Sequence, residues 1–451
     1  YIIDSIDEIN AGIDKNKDNS GTSSSMASIG YIARLNYAYD NRYLIEFSGR
    51  YDGSSLFPEN SRWGFFPAVS LGWRVSEESF LRDNPVVDNL KLRASWAKLG
   101  DNTGIAGFQY LTGYTYPSGN YIFGDDVVPT LVSRGLANTG ITWYTAKTYN
   151  VGVDFALWKG LLSGEVDVFY RKRDGLMATR VDALPGTFGA SLPQENLNSD
   201  DDRGFEIVLR HQNRLSPDFS YYVNGNMSFT RSKYRHVERA QSVNSYRNWR
   251  DNTTDRWKNL FWGYEAVGQF QSYDEIARWP VQDGQGNTTL KPGDIKYLDY
   301  NGDSVIDDND VHIISRAGKP EIMFGFDLGF TWKNFDFSML LQGVGNYNSY
   351  YTESLQVPFH NNASSLEAFM DRWHREDLYD PNSRWIPGKY PSTYSAGLES
   401  NKRTSTFWLQ NGAYMRVKDI TIGYNLPKPV LNKIGLDAVR VYLSGYNLLT
   451  F

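Results

Sequence analysis

Apolar and polar residues alternate along many extended segments of the chain. In the segment 43–52, Tyr43, Ile45 and Phe47 occupy the odd positions, and Glu46 lies between them. Because successive side chains of a β-strand point to opposite faces, such a segment predicts a strand with one apolar and one polar face. The segments run to roughly nine to eleven residues, which is the length a tilted strand needs to cross a bilayer.

The same alternation recurs and predicts several hairpins, about a dozen strands in all. Further segments with this pattern are 33–39, 149–157, 162–171, 221–230, 324–332 and 335–342. Tight turns at 40–42, 158–161 and 333–334 join neighbouring segments. Long polar excursions separate other segments, at roughly 99–146, 172–203, 231–260 and 345–411.

Short turns at one rim and long loops at the other are typical of an outer-membrane barrel. The alternative is an antiparallel sandwich, which would need loops longer than compact domains usually contain. We therefore predict an all-β fold: a transmembrane antiparallel β-barrel with long extracellular loops and minor helix. The helical signals are a capping-box spelling at 272–275 and apolar residues at helical spacing in 364–376, namely Leu366, Phe369, Met370 and Trp373.

Composition narrows the class of protein further. Aromatic residues make up 15% of the 451 residues, in a chain that is otherwise polar. A lectin-like surface or a ring-girdled barrel accounts for both properties, and we assign Trp73, Trp96, Trp158 and Trp332 to the girdle or wall. No run approaches the roughly 20 apolar residues of a membrane helix. A net charge of -6 argues against a nucleic-acid partner, and the lack of cysteine excludes disulfides and thiolate sites.

One loop, at 294–312, carries a metal-binding pattern. Read against the twelve-residue EF-hand loop, 299–310 offers oxygens at positions 1, 3, 5, 7, 9 and 12. The predicted ligands are Asp299, Asn301, Asp303, the carbonyl of Val305, Asp307 and Asp310. Ser304 replaces the usual turning glycine, and Asp310 is shorter than the usual glutamate, although dockerin loops do end in aspartate. We predict Ca²⁺, or another hard divalent cation, that stiffens the loop; the alternative is a solvated acidic loop.

Signatures of catalysis are absent from the sequence. The five histidines are scattered, and neither an HExxH nor a GxSxG motif occurs. We therefore expect no enzyme activity. Rings also occur in the loops, for example Trp257 and Trp262, but rings alone do not assign a substrate-binding residue.

Long strings of the sequence closely resemble the SusC/RagA family of TonB-linked outer-membrane transporters. They are YIARLNYAYDNRYLIEFSGRYDGSSLF, WGFFPAVSLGWRVSEESFL, LKLRASWAKLGDNTGI, TYNVGVDFALWKGLLSGEVDVFYRK, KPGDIKYLDYNGDSVIDDND and YMRVKDITIGYNLPKPVLNKIGLDAVRVYLSGYNLLTF. Together they span nearly the whole chain in the order expected of the family.

The resemblance implies a 22-stranded barrel around a plug, of which 1–451 is part of the wall. It also implies TonB-dependent import of oligomeric nutrients, mostly glycans and sometimes peptides, across the outer membrane of Bacteroidetes. The implied partners are a SusD-like surface lipoprotein, TonB, the bilayer with its lipopolysaccharide, and a second transporter–lipoprotein pair. The chain opens without a signal peptide, so we expect a truncated form with the plug upstream and the last strands downstream. Rival functions are a passive or adhesive barrel and, third, a soluble all-β glycan-binding module.

Overall fold

One antiparallel sheet dominates the computed structural model, which describes residues 25–115, 120–181, 187, 189–242, 244–316, 318–393 and 399–451. Twelve strands of the described residues form this sheet, and each pairs with its neighbour in chain order. They are β1 (Ser28–Tyr39), β2 (Tyr43–Ser54), β3 (Trp63–Arg74), β4 (Val87–Asp101), β5 (Tyr144–Leu157), β6 (Leu162–Thr179), β7 (Gln194–Ser216), β8 (Phe219–His236), β9 (Ile322–Trp332), β10 (Phe335–Gly345), β11 (Tyr414–Asn425) and β12 (Arg440–Thr450). The prediction of an all-β antiparallel fold is confirmed.

The three predicted tight turns join β1 to β2, β5 to β6 and β9 to β10. In the first, Asp40 and Asn41 take positive φ angles of 50° and 53°, a left-handed conformation that Asp and Asn adopt more readily than other non-glycine residues. In the third, Lys333 takes a φ of 52°. The register keeps the apolar residues of facing strands together, as in the pairs Tyr37 with Ile45 and Leu35 with Phe47.

Two of the predicted loop excursions are wrong in their bounds. β6 and β7 continue through most of 172–203, and β7 reaches 23 residues. β8 runs on to His236, so the next excursion spans 237–321 instead of 231–260. Charged side chains occupy both faces of the extended parts and form ion pairs there. The end of the apolar alternation therefore shows that the surroundings of the strand change at this point. The strand itself continues.

Short elements lie within the long loops. Two-stranded ladders pair Tyr114–Thr115 with Val132–Ser133, Asn120–Phe123 with Asp126–Pro129, Phe261–Gly263 with His312–Ser315, Ala266–Gln269 with Ile295–Tyr297, Asn348–Tyr350 with Leu409–Asn411, and His374–Arg375 with Trp385–Ile386. The helices are α1 (Ser245–Asp251), α2 (Tyr273–Arg278), α3 (Glu399–Lys402) and α4 (Lys428–Ile434). Single 3₁₀ turns span Val75–Glu77, Asp308–Asp310, Glu353–Leu355, His360–Asn362 and Glu367–Met370. None of the described helices is both long enough and apolar enough to span a membrane.

The helix signals at 272–275 and 364–376 have different outcomes. Ser272 caps α2 by accepting a hydrogen bond from the Glu275 backbone N–H at 3.2 Å, as the spelling predicts. The apolar spacing in 364–376 yields only the 3₁₀ turn Glu367–Met370. Its Phe369 and the following Trp373 are each 4% exposed. These rings are buried against other loop segments. Those contacts determine the backbone conformation here, and the helical spacing of the apolar residues does not.

Candidate functional site

A ladder of charged groups runs along the polar face of the sheet, centred on Arg93 of β4. Its guanidinium donates to both carboxylate oxygens of Asp167 on β6, at 2.7 and 2.6 Å, and to Asp154 of β5 at 2.7 Å. In the register, Gly152 lies between Arg93 and Asp167. A Cβ at Gly152 would come within 2.8 Å of the guanidinium carbon and 2.7 Å of the carboxylate. The glycine therefore lets the arginine reach across a whole strand.

The rest of this face is also polar and hydrogen-bonded. Asp327 of β9 accepts from the Tyr222 hydroxyl at 3.2 Å and from the Asn224 amide at 3.3 Å. Further ion pairs on the wall join Arg34 to Glu46, Arg210 to Glu165 and Arg440 to Asp336. Such a surface is stable only when it meets water or another polar surface, because unpaired polar atoms in an apolar medium are costly.

The strands β6, β7 and β8 extend beyond the length that a bilayer crossing needs, and three consecutive aspartates are buried in this extension. Asp200, Asp201 and Asp202 are 2%, 0% and 7% exposed. Asp200 is held by a bidentate pair with Arg173, at 2.7 and 2.6 Å, and by Lys258. We call the residues 200–202 and their cations the aspartate cluster.

Asp201 and Asp202 have cations of their own on opposite faces of β7. Asp201 pairs with Arg203 at 3.1 Å and with Arg235. Asp202 accepts from Arg171 at 2.6 Å. Burial by itself would raise the pKa of Asp202, but the hydrogen bond from Ser232 and the charge of Arg171 outweigh it and lower that pKa below its ordinary value. The carboxylate is therefore ionised at neutral pH and anchors the extension.

The loops 237–321 and 346–413 pack together around a shared apolar core. Its buried residues are Tyr264, Ile295, Tyr297, Ile306, Phe369 and Trp408. The guanidinium of Arg403 stacks over Tyr264 at 4.8 Å and donates to the backbone oxygens of Gln282 and Ile306. Burial raises the pKa of Tyr297, whose hydroxyl donates to the Ser400 carbonyl at 2.6 Å. These two excursions therefore form one folded loop unit.

The predicted metal-binding loop lies within this loop unit and is wound tightly by its own backbone. Asp299 accepts from the N–H groups of Gly302 and Ser304, both at 2.8 Å. Ser304 takes a positive φ of 68°, the conformation for which EF-hands use glycine. Ile306, at the apolar position of the loop, is 2% exposed. Its backbone N–H donates a hydrogen bond to the Val281 carbonyl at 2.8 Å.

The six predicted ligands divide into two groups. Asp299, Asn301, Asp303 and Val305 form the first group, in which the Asn301 amide donates to Asp303 at 3.0 Å and the Val305 backbone N–H donates to Asp303 at 2.9 Å. Asp310 is fully buried and accepts backbone N–H bonds from Tyr300, Asn301 and Asp307, at 2.8, 3.2 and 2.8 Å. Asp307 caps the 3₁₀ turn that contains Asp310. Across the residues that the structure describes, no three His, Asp or Glu side chains converge as a metal group would. The metal ligands stay a prediction.

Sequence reasoning missed the aspartate cluster and the stacking of Arg403. The three consecutive aspartates, Asp200-Asp201-Asp202, between segments of alternating polarity were the one sequence feature that pointed to the cluster. Three adjacent carboxylates cannot be buried in a strand unless cations from neighbouring strands meet them. Arg203 lies on the same strand, but the other partners come from β6, from β8 and from the loop that carries Lys258, so no local pattern identifies the whole cluster.

Comparison with known proteins identifies relatives over most of the chain. The family model described as "TonB dependent receptor-like, beta-barrel" matches residues 3–448. TonB-dependent receptor P3 of Formosa agariphila is 29% identical over 94% of this chain and 41% of its own length. TonB-dependent receptor SusC of Bacteroides thetaiotaomicron is 28% identical over 88% of this chain and 38% of its own length. The chain thus spans about two fifths of the relatives that it matches.

Solved structures agree on the fold. The RagAB peptide importer in its "open-open" state superposes with a TM-score of 0.70 at 19% identity, covering 96% of this chain and 45% of the other. A second structure, of the RagAB peptide transporter, gives 0.68 at 19% identity over 97% and 47% of the two chains. Similarity at this level of identity supports the architecture of the wall and not the choice of ligand.

Proposed function

The chain belongs to the family of TonB-dependent receptor-like β-barrels of the outer membrane, and from this premise we propose that the whole protein imports oligomeric nutrients with TonB as the energy source. Membership of the family also makes the chain part of a receptor and not of an enzyme. The chain supplies wall and loops, so the import activity itself is a property of the longer protein.

The observation that carries the proposal is the two-sided wall. One face presents Phe47, Val151 and Val168, exposed and apolar, as a lipid-facing surface requires. The opposite face presents the Arg93 ladder, which suits a hydrated lumen or a polar plug. A β-sheet with one apolar and one polar face separates lipid from a solvated path.

For the substrate we propose glycan oligosaccharides, with peptides as the second candidate. The resemblance to a family that mostly imports glycans favours the first, and the peptide importers within that family keep the second as an alternative. We further propose that the loop unit, which projects from the long-loop rim, seats a SusD-like lipoprotein. TonB would act through a part of the protein other than this wall, and pairs of transporter and lipoprotein would dimerise.

An uptake assay with the full-length gene tests the proposed function. Deletion should abolish uptake of a fluorescent oligosaccharide mixture, and plasmid-borne wild type should restore it. A strain lacking TonB should behave like the deletion, because import against a gradient needs that energy source. Parallel assays with labelled oligopeptides decide between the substrates. Uptake that persists without TonB would indicate a passive barrel and overturn the proposal.

We also propose that the loop 299–310 binds Ca²⁺, which would lock the first turn of this loop onto Asp310. The donors are the oxygens of Asp299, Asn301, Asp303, Val305, Asp307 and Asp310, the hard ligands that calcium prefers. The bound ion would neutralise neighbouring carboxylates and stiffen the loop unit.

Calorimetry of calcium binding tests this site. The full-length protein should release heat on titration with Ca²⁺, and the double variant Asp299→Ala/Asp303→Ala should not. Asp308→Ala is the matched control, because this neighbouring carboxylate has a side chain 60% exposed and is not a predicted ligand. Equal heats from wild type and the double variant would remove the site.

A further inference from the structure

Three lysines lie directly opposite one another on the apolar face of the wall. In the strand register, Lys98 of β4 pairs with Lys147 of β5, and Lys147 pairs with Lys172 of β6. They share the face of Leu92, Val151 and Val168, because each is an even number of residues away along its own strand. We call these three residues the lysine row.

The row lies next to a row of aromatic rings. Two residues nearer the membrane centre, Trp96, Tyr149 and Tyr170 are paired across the same three strands, and the rings of Tyr149 and Tyr170 are 6.4 Å apart. Trp and Tyr collect at the boundary between lipid tails and headgroups. The lysine row is therefore placed at headgroup height, at the rim that carries the long loops.

On the next two strands the row continues with Asp201 of β7, directly opposite Lys172, and with Lys233 of β8, and two arginines occupy the aromatic row. Arg203 of β7 lies directly opposite Arg231 of β8, and both guanidiniums stack on Trp257, at 5.0 and 4.0 Å. These arginines have carboxylate partners: Asp201 for Arg203 and Glu321 for Arg231. Among the described residues, Lys98 and Lys147 have no ion-pair partner, and Lys172 pairs with Asp174 at 2.8 Å.

Like charges directly opposite in an antiparallel pair destabilise the sheet. The row contains two such neighbouring pairs. The carboxylates on this face, Asp174 and Asp201, pair with Lys172 and with Arg203 and Arg235, and neither forms an ion pair with Lys98 or Lys147. An anion from outside the chain would remove the repulsion. At headgroup height in an outer membrane, the anions in reach are phosphates of the outer-leaflet glycolipid.

We propose that the lysine row binds the phosphate groups of outer-leaflet glycolipid, with Lys98 and Lys147 as the principal contacts. The bound lipid neutralises the like-charge pairs and fixes the height of this part of the wall in the membrane. The proposal rests on the outer-membrane location and is independent of the imported substrate.

Lipid-dependent thermal stability of the detergent-purified full-length protein tests the proposal. Bisphosphorylated lipid A should raise the unfolding midpoint of wild type, and the same lipid treated with phosphatase should raise it much less. In Lys98→Gln/Lys147→Gln/Lys172→Gln the midpoint shift should be lost. Native mass spectrometry should show affinity for the phosphorylated lipid on the order of a hundredfold lower, at about fivefold per lysine. Inorganic phosphate alone should not reproduce the shift.

A charge-matched control is available at the opposite rim. Lys159→Gln/Lys333→Gln/Lys433→Gln removes three positive charges from two tight turns and from helix α4 and should leave the lipid response unchanged. The single variant Lys147→Gln keeps the test valid if the triple variant misfolds. It should lose part of the lipid-dependent shift of the unfolding midpoint. The proposal is overturned if the lysine-row variants keep the full phosphate-dependent shift, or if both triple variants lose it equally. Substrate uptake by the same variants reports separately on the proposed import function.

Discussion

Replacing Asp201 with alanine is expected to lower the free energy of unfolding by about 3 kcal/mol, because it removes a fully buried anion from between two arginines. The Asp201 carboxylate pairs with Arg203 and Arg235 and accepts from the Tyr170 hydroxyl at 3.2 Å. Without it, Arg203 would face Arg231 across the strands with one fewer compensating charge. The extended part of β7 should then lose its contacts with the neighbouring loop, while the membrane-crossing part of the strand should stay folded.

Chemical unfolding of the full-length protein in detergent micelles measures this effect. Asp201→Asn keeps the volume and an acceptor but not the charge, so it should fall between wild type and Asp201→Ala. Asp255→Ala is the matched control, because Asp255 also pairs with Arg235 but its side chain is 66% exposed. Surface ion pairs contribute little to stability. Equal stability of Asp201→Ala and Asp255→Ala would refute a structural role for the aspartate cluster.

Replacing Asp310 with alanine should destabilise the loop unit by about 4 kcal/mol, because three backbone N–H groups lose one shared acceptor. These N–H groups belong to Tyr300, Asn301 and Asp307. No other side chain replaces the carboxylate, which is completely buried. Hydrogen exchange over 299–315 should accelerate strongly, whereas exchange in β9 and β10 should stay unchanged.

The graded variants for this position follow from the geometry. In Asp310→Asn one side-chain oxygen can still accept from Tyr300 and Asn301, but an amide N–H₂ then faces the Asp307 N–H, so an intermediate loss is expected. Asp308→Ala, at an exposed neighbouring carboxylate, should change stability by no more than about 0.5 kcal/mol. Unchanged exchange in Asp310→Ala would mean that the loop is held by its apolar contacts alone.

The strands of the wall could be predicted from the sequence because they are determined by residues close to one another in the chain. Alternation of side chains in 43–52 fixes which face of β2 is apolar, and the Asp40–Asn41 turn fixes its register with β1. The same holds for β9 and β10, where Lys333 starts the two-residue turn. Each decision depends on residues within about ten positions of one another, so one sequence suffices.

The loops and the strand extensions could not be predicted in this way. The extension of β7 is stabilised by Lys258 and Arg173, which are 58 and 27 positions from Asp200. The turn at Glu367–Met370 forms because Phe369 packs into a core shared with Trp408. In both regions distant contacts decide the backbone, and the polarity pattern predicts the wrong boundary for the strands and the wrong length for the helix.

The two-sided wall is tested most directly by single-cysteine scanning along β9, in a chain region that contains no native cysteine. Spin labels at Leu328→Cys, Phe330→Cys, Asp327→Cys and Thr331→Cys would be introduced one at a time into the full-length protein in liposomes. Collision with lipid-soluble oxygen should be high at 328 and 330, and collision with a water-soluble nickel complex should be higher at 327 and 331. The same accessibility at all four positions, with no period of two, would contradict the account.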